Sequence, residues 1–200
     1  EQILDTITDL DSTSKLQVVQ ERRLLAEAGS ISFADLVPVI EKLTEETSYL
    51  VVSGVKAVLN GLKLFVDEGS ECEKAYHELV VKLSKFNFER LGFEAQEGEN
   101  DEDELVRQIV VGSLIAADDQ AASQKASRIF AAHEDDLEKL PAAIRLHILI
   151  NQIKHFESKE LADQYLNHYV STVDGSFKRQ LAAALAYTKD AETLARILES

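Results

Sequence analysis

Apolar residues recur at three- and four-residue steps along nearly the whole chain, the period of a helix that turns one face to a core. Val51, Val55, Val58, Leu62 and Phe65 share one face of a long segment, and Tyr76, Leu79, Val80, Leu83 and Phe86 share a face of the next. Leu16–Ala28 predicts an earlier helix, closed by Gly29, a residue suited to the left-handed turn after a helix end. Ser32 caps the segment that follows, with Asp35 in its first turn. Asn100 or Asp101 opens a fifth helix, whose positive end carries a run of acids. Further helices are predicted near 120–134, 142–156, 159–171, 175–187 and 190–199. Pro141 is placed in the first turn of its helix, and Asp174 and Asp190 are placed as caps of the last two. No alternating run of Val, Ile and Thr reads as a strand.

Helices of this length joined by short turns pack as antiparallel neighbours. A helix pair with its turns takes ~35–45 residues, the period of HEAT and armadillo repeats. No sequence identity recurs at that period, so the expected array is irregular. The expected fold class is all-α: an α-α superhelix, or HEAT-like solenoid of antiparallel helix pairs. It occupies 1–200 as one helical-repeat domain, with room for a sub-bundle junction at 92–101. An open stack of this kind offers a concave surface to a partner or to another domain. The acidic loop Glu94–Asp101 reads either as a solvated connection or as a binding loop.

Composition supports helix: two prolines and eight glycines in 200 residues, with 45% hydrophobic positions that exclude a disordered chain. Against 36 acids stand 21 Lys and Arg, a formal charge of −15 that repels phosphate backbones and anionic lipid. Neither nucleic acid nor a membrane is an expected partner. No stretch reaches the roughly 18 apolar residues of a membrane-spanning helix. A single cysteine, Cys72, fits a reducing, cytoplasmic setting. Glu1 stands first and Met is absent throughout, which reads as a piece of a longer chain.

Candidate chemistry is sparse. A helical zinc site of the peptidase type needs two His one turn apart with Glu between them. His77-Glu78 and His133-Glu134 lack the second His, and His147 and His155 have no carboxylate at ligand spacing. His168 stands alone. Cys72 sits between Glu71 and Glu73, which oppose the thiolate that a nucleophile requires. The acidic runs Glu99–Glu104 and Glu134–Glu138 lack the spacing that wraps calcium. No catalytic, metal or cofactor residue is expected in this chain. What remains are cations set in apolar helical stretches, Arg107, Arg145 and Arg179, with Lys178 beside the last. Each is either an intradomain ion pair or an anchor for an anionic group.

Three stretches carry a resemblance. Phe88–Val111 holds Leu91-Gly92-Phe93, then Gly98-Glu99, then Arg107; Glu46–Val52 reads ETSYLVV; and Leu181–Leu194 reads LAAALAYTKDAETL. In order and spacing they are similar to the L-G-W…G-E…L-R, E-T-x-Y-x-V and A-L-A-x-T-K-D elements of the C-terminal domain of M1-family zinc aminopeptidases, nearest to bacterial members. Phe93 replaces the Trp frequent in that family. The resemblance implies a noncatalytic C-terminal domain that covers the active-site cleft and helps bind or size-select peptides. The parent would hold the zinc and remove N-terminal residues from peptides. The parent's own catalytic domain and peptide substrates are the implied partners. It also implies that a basic or phenolic group on the concave face receives a peptide's C-terminal carboxylate. Arg107 matches the Arg of the L-R element and Tyr187 the variable position of A-L-A-x-T-K-D; Arg179 and Arg145 join them as candidates. The family's domain continues beyond the last helix, so Leu194, Ile197 and Leu198 are expected to lack cover. The alternative is a free-standing helical-repeat scaffold that binds a protein.

Overall fold

The computed structural model describes residues 6–95 and 97–199, with side chains through residue 197. Ten α-helices and four short 3-10 turns make up the described residues, and no strand occurs among them. They form two compact units, 1–118 and 119–200.

The first unit contains α1 (Ser12–Glu27), α2 (Val37–Ile40), α3 (Tyr49–Lys63), α4 (Glu71–Leu91) and α5 (Asp101–Ala116). Helix α1 packs on α3, α3 on α5, and α5 on α4. Asp11 caps α1 by accepting from Ser14 N at 3.0 Å, and Gly29 takes φ +71 just past its end. Ser32 and Asp35 form a capping box, but the segment they open is a 3-10 turn, Phe33–Leu36, that runs into the short α2. Ser70 caps α4, and Asn100 with Asp103 forms the capping box of α5. The apolar stripe of α3 is buried at Val51, Val55 and Val58. Two glycines on α3 allow close approach. A Cβ on Gly54 would lie 2.8 Å from Leu16 Cδ1 of α1, and one on Gly61 would lie 2.3 Å from the Phe33 ring.

That stripe stops earlier than the periodicity suggests. Helix α3 ends at Lys63, so Phe65 falls in the following turn and is 70% exposed.

The second unit contains α6 (Gln120–Ala131), α7 (Arg145–Phe156), α8 (Lys159–Ser171), α9 (Gly175–Leu185) and α10 (Ala191–Glu199). Helix α7 packs on α6 and α9, and α8 packs on α9 and α10. Ile148, Leu149, Tyr165, Phe177 and Leu181 fill the interior. Tyr165 is fully buried, donates to Leu149 O at 3.3 Å, and has its phenol pKa pushed up by burial. Asn151 crosses from α7 to α6, donating to Ser123 O at 3.1 Å and to Ser127 Oγ at 3.2 Å. Asp119, Ser158, Asp174 and Asp190 cap α6, α8, α9 and α10. Pro141 differs from expectation. It precedes a turn, and α7 begins only at Arg145.

The division between units falls at Asp118–Asp119, where Asp118 takes φ +57. The 92–101 connection is therefore internal to the first unit, joining the packed helices α4 and α5. Of the three apolar residues expected to lack cover, Leu194 is exposed and Ile197 partly so, whereas the Leu198 side chain lies outside the described residues.

Candidate functional site

The Gly98-Glu99 and Arg107 elements turn out to be partners. Helix α4 ends at Leu91; Gly92 at φ +57 turns the chain, and Phe93 buries its ring edge-on against Phe88 at 5.6 Å. Gly98, at φ +89, reverses it again and delivers the Glu99 carboxylate to Arg107 of α5. Both Glu99 oxygens accept from Arg107 Nη2, and Arg107 Nε donates to Leu91 O at 3.3 Å. Arg107 is 2% exposed. Its guanidinium thus binds both ends of its own motif, the last carbonyl of α4 and the returning loop.

The E-T-x-Y element joins the same network. Glu46 pairs with Lys15 of α1 through its carboxylate and accepts from Asn87 Nδ2 at 2.7 Å through its carbonyl. Asn87 accepts in turn from Arg90, which pairs with the buried Asp103 of α5. Ser48 makes no side-chain cap at the start of α3; Glu102 accepts from Tyr49 N at 3.2 Å instead. In the first unit these motif residues cross-link α1, α3, α4 and α5.

The T-K-D element performs a similar task in the second unit. Glu157, at the end of α7, accepts from the Thr188 hydroxyl and from Lys189 N at 3.2 Å. Asp190 then accepts from Thr193 N at 2.6 Å, and hydrogen bonds from the Thr193 backbone and side chain hold its carboxyl below the usual range. A cleft of about 270 Å³ lies beside this turn, lined by Glu157, Lys159, Asp190, Glu192 and Arg196. Its two cations are paired, Lys159 with Glu192 at 3.2 Å and Arg196 with Asp163 at 2.6 Å.

The four candidate anchors separate into two kinds. Arg107 is a buried scaffold cation, which removes the solvent-facing donor a substrate would need. Arg145 is also committed: it donates to Glu138 O at 2.6 Å and to Leu140 O, and lies 5.2 Å from the Phe177 ring centre. It closes the turn that leads into α7. Arg179 and Tyr187 face solvent. Tyr187 is 48% exposed, and Arg179 has no ion-pair partner among the described residues, Asp174 capping Ser176 N at 2.8 Å. Arg179 lies in the second turn of α9, and Tyr187 two residues past its end. Lys178 lies 4.7 Å over the Tyr169 ring.

Among the described residues no cluster of three or more His, Cys, Asp or Glu could hold a metal ion. His133 Nδ1 lies 2.9 Å from Ile129 O, and His168 packs against Phe177. No helix of the described residues is long and apolar enough to cross a membrane.

The pairing of Glu99 with Arg107 and the role of Glu157 escape a reading of the sequence. Glu99 reaches Arg107 across a loop, and Glu157 reaches residues 31 and 32 positions away; neither spacing is a helical one.

Residues 1–200 match the ERAP1-like C-terminal domain family. Aminopeptidase N of Lactococcus lactis subsp. lactis is 47% identical over 197 residues, 98% of this chain and 23% of the relative. Aminopeptidase N of Lactobacillus helveticus is 37% identical over 196 residues, again 98% of this chain and 23% of the relative. Puromycin-sensitive aminopeptidase of Caenorhabditis elegans is 27% identical over 186 residues, 91% of this chain and 19% of the relative. The chain thus spans about a quarter of the length of the curated aminopeptidases it matches, and it belongs to the ERAP1-like C-terminal domain family.

Proposed function

We propose that this chain is the noncatalytic C-terminal domain of an M1-family zinc aminopeptidase that removes N-terminal residues from peptides. The observation that carries this reading is the match of nearly the whole chain to about a quarter of each aminopeptidase N. In this reading the zinc is held by the parent outside this chain. There the metal would supply an activated water. This domain's part is to cover the active-site cleft, to exclude folded proteins, and to hold the far end of longer peptides. The single cysteine, exposed and unbridged, goes with a cytoplasmic setting for the parent.

The solvent-facing groups available for a peptide's C-terminal carboxylate are Arg179 and Tyr187; a guanidinium can hold it with two hydrogen bonds and a phenol with one. Losing one hydrogen bond to a charged group costs about 1.5–3 kcal/mol, roughly ten- to a hundredfold in kcat/KM. In the full-length enzyme, Arg179→Ala or Tyr187→Phe should therefore weaken processing of long peptides and spare a single-residue chromogenic substrate. Equal loss on both substrates, or loss on neither, would contradict the assignment. The 200-residue chain alone should cleave no amino-acid anilide and hold no stoichiometric zinc. Turnover that survives repurification would refute its noncatalytic role.

A further inference from the structure

The first unit contains a groove that none of the motif residues uses. Its volume is about 570 Å³, within the roughly 300–1,000 Å³ typical of ligand sites. Leu62, Val66, Tyr76 and Leu79 give it an apolar lining, and Phe65 stands in its wall, its ring 5.7 Å from Phe33. Phe65, 70% exposed, and Leu64, 82% exposed, leave apolar surface unburied here.

The charges around the groove select the partner. Lys82 is paired with Glu41 at 2.9 Å, and Lys74 with Glu71 at 2.6 Å, so both nearby cations on α4 are compensated. Glu78 lines the groove, is exposed, and has no ion-pair partner among the described residues. Asp67 and Glu68, which follow Val66, are exposed and unpaired in the same sense. Lys63 of α3 lies 5.9 Å from the centre of the Tyr76 ring and already occupies that face, so the attraction for a cation rests on the three acids, which outnumber it. An acidic or neutral apolar partner would leave the surplus acids uncompensated, whereas a cationic one gains from the carboxylates.

We infer that this groove binds a peptide segment in which apolar side chains alternate with Lys or Arg, the apolar groups entering between Phe65 and Leu79 and the cations reaching Glu78, Asp67 and Glu68. None of the groove's residues belongs to α9, so the inference stands or falls independently of the substrate-tail assignment.

Cys72 lines the groove and is the only cysteine of the chain, which makes it a built-in reporter. The probe is an acetylated, amidated pentapeptide alternating lysine with leucine and phenylalanine. Its controls replace lysine by glutamate, or leucine and phenylalanine by glycine. At about ten times its Kd the basic, apolar peptide should slow alkylation of Cys72 by iodoacetamide about tenfold, the free fraction left by mass action. Neither control should protect at the same concentration. Glu78→Lys should weaken the protection several-fold, and Phe65→Ser should abolish it. Both positions are exposed, and unchanged far-UV circular dichroism verifies that each variant is folded. No protection, or equal protection by the acidic peptide, overturns the inference. Two other results also overturn it: Phe65-dependent self-association in sedimentation, which makes a second copy the occupant; and a Cys72 inert to alkylation in the full-length protein, which means the rest of the parent covers the groove.

Discussion

The first unit and the second unit stabilise their motif segments with different chemistry. In the first, the motif is held by a buried ion pair: Arg107 is 2% exposed and its partner Glu99 has 14% of its side chain exposed. A second pair, the exposed Arg90 with the buried Asp103, and the carbonyls of Leu91 and Glu46 complete the network. In the second, one partly buried carboxylate, Glu157, holds a turn through a hydroxyl and a backbone N–H. Arg145, its most committed cation, bonds to neutral carbonyls. A buried ion pair is costly to break on one side only, because the surviving charge is left in a poor solvent. A carboxylate–hydroxyl clamp at the surface carries no such penalty. The two regions look alike as sequence motifs and should differ sharply in their sensitivity to substitution.

Arg107→Ala should have the largest effect, destabilising the fold by about 3–5 kcal/mol because it strands Glu99 and the Leu91 carbonyl. The paired change Arg107→Met with Glu99→Leu should recover most of that loss, since an apolar pair of similar volume carries no desolvation cost. Urea unfolding of all three forms is the check. Failure of the double variant to recover would mean that the hydrogen bond to Leu91, rather than the ion pair, carries the energy. Glu157→Ala should cost about 1–2 kcal/mol by the same measurement, the ordinary range for one or two lost hydrogen bonds. A loss as large as that of Arg107→Ala would erase the contrast between the units.

Acid should give the smallest effect. Asp11 and Asp190 both have pKa values held below the ordinary 3.8, Asp11 by the Ser14 hydroxyl and Asp190 by Thr193 N. A carboxylate whose folded pKa is depressed stabilises above its unfolded pKa and loses that contribution as pH falls through the folded value. Stability should therefore decline from about pH 4 downward, and Asp11→Asn or Asp190→Asn should flatten that decline while lowering stability at neutral pH. Melting temperatures from pH 6 to pH 2 would show it.

The helices were legible in the sequence because their cause is local. An apolar stripe, a polar cap and a glycine stop lie within a few residues of the element they specify, as at Gly29, Asn100, Asp174 and Asp190. Pro141 and Phe65 misled for the same reason: local preference permits a helix at both, and packing ends it elsewhere. The roles of the motif residues were not legible. Arg107 amid apolar neighbours is equally consistent with an ion pair or a ligand anchor, and the deciding fact is where the loop returns Glu99. That depends on the left-handed turns at Gly92 and Gly98, whose directions a one-dimensional reading cannot combine. Motif membership alone therefore pointed to Arg107 and Tyr187 equally, although one is buried scaffold and the other faces solvent.

The proposed division of labour makes the buried Arg107 scaffold and leaves the solvent-facing Arg179 and Tyr187 for peptide. In the full-length enzyme it is tested most directly by the ratio of kcat/KM for a long peptide to that for a single-residue chromogenic substrate. For Arg107→Ala the ratio should equal that of the unmodified enzyme, since any lost activity reflects lost folded protein and affects both substrates alike. A ratio that falls selectively in Arg107→Ala, at undiminished stability, would make Arg107 a substrate contact and contradict the account.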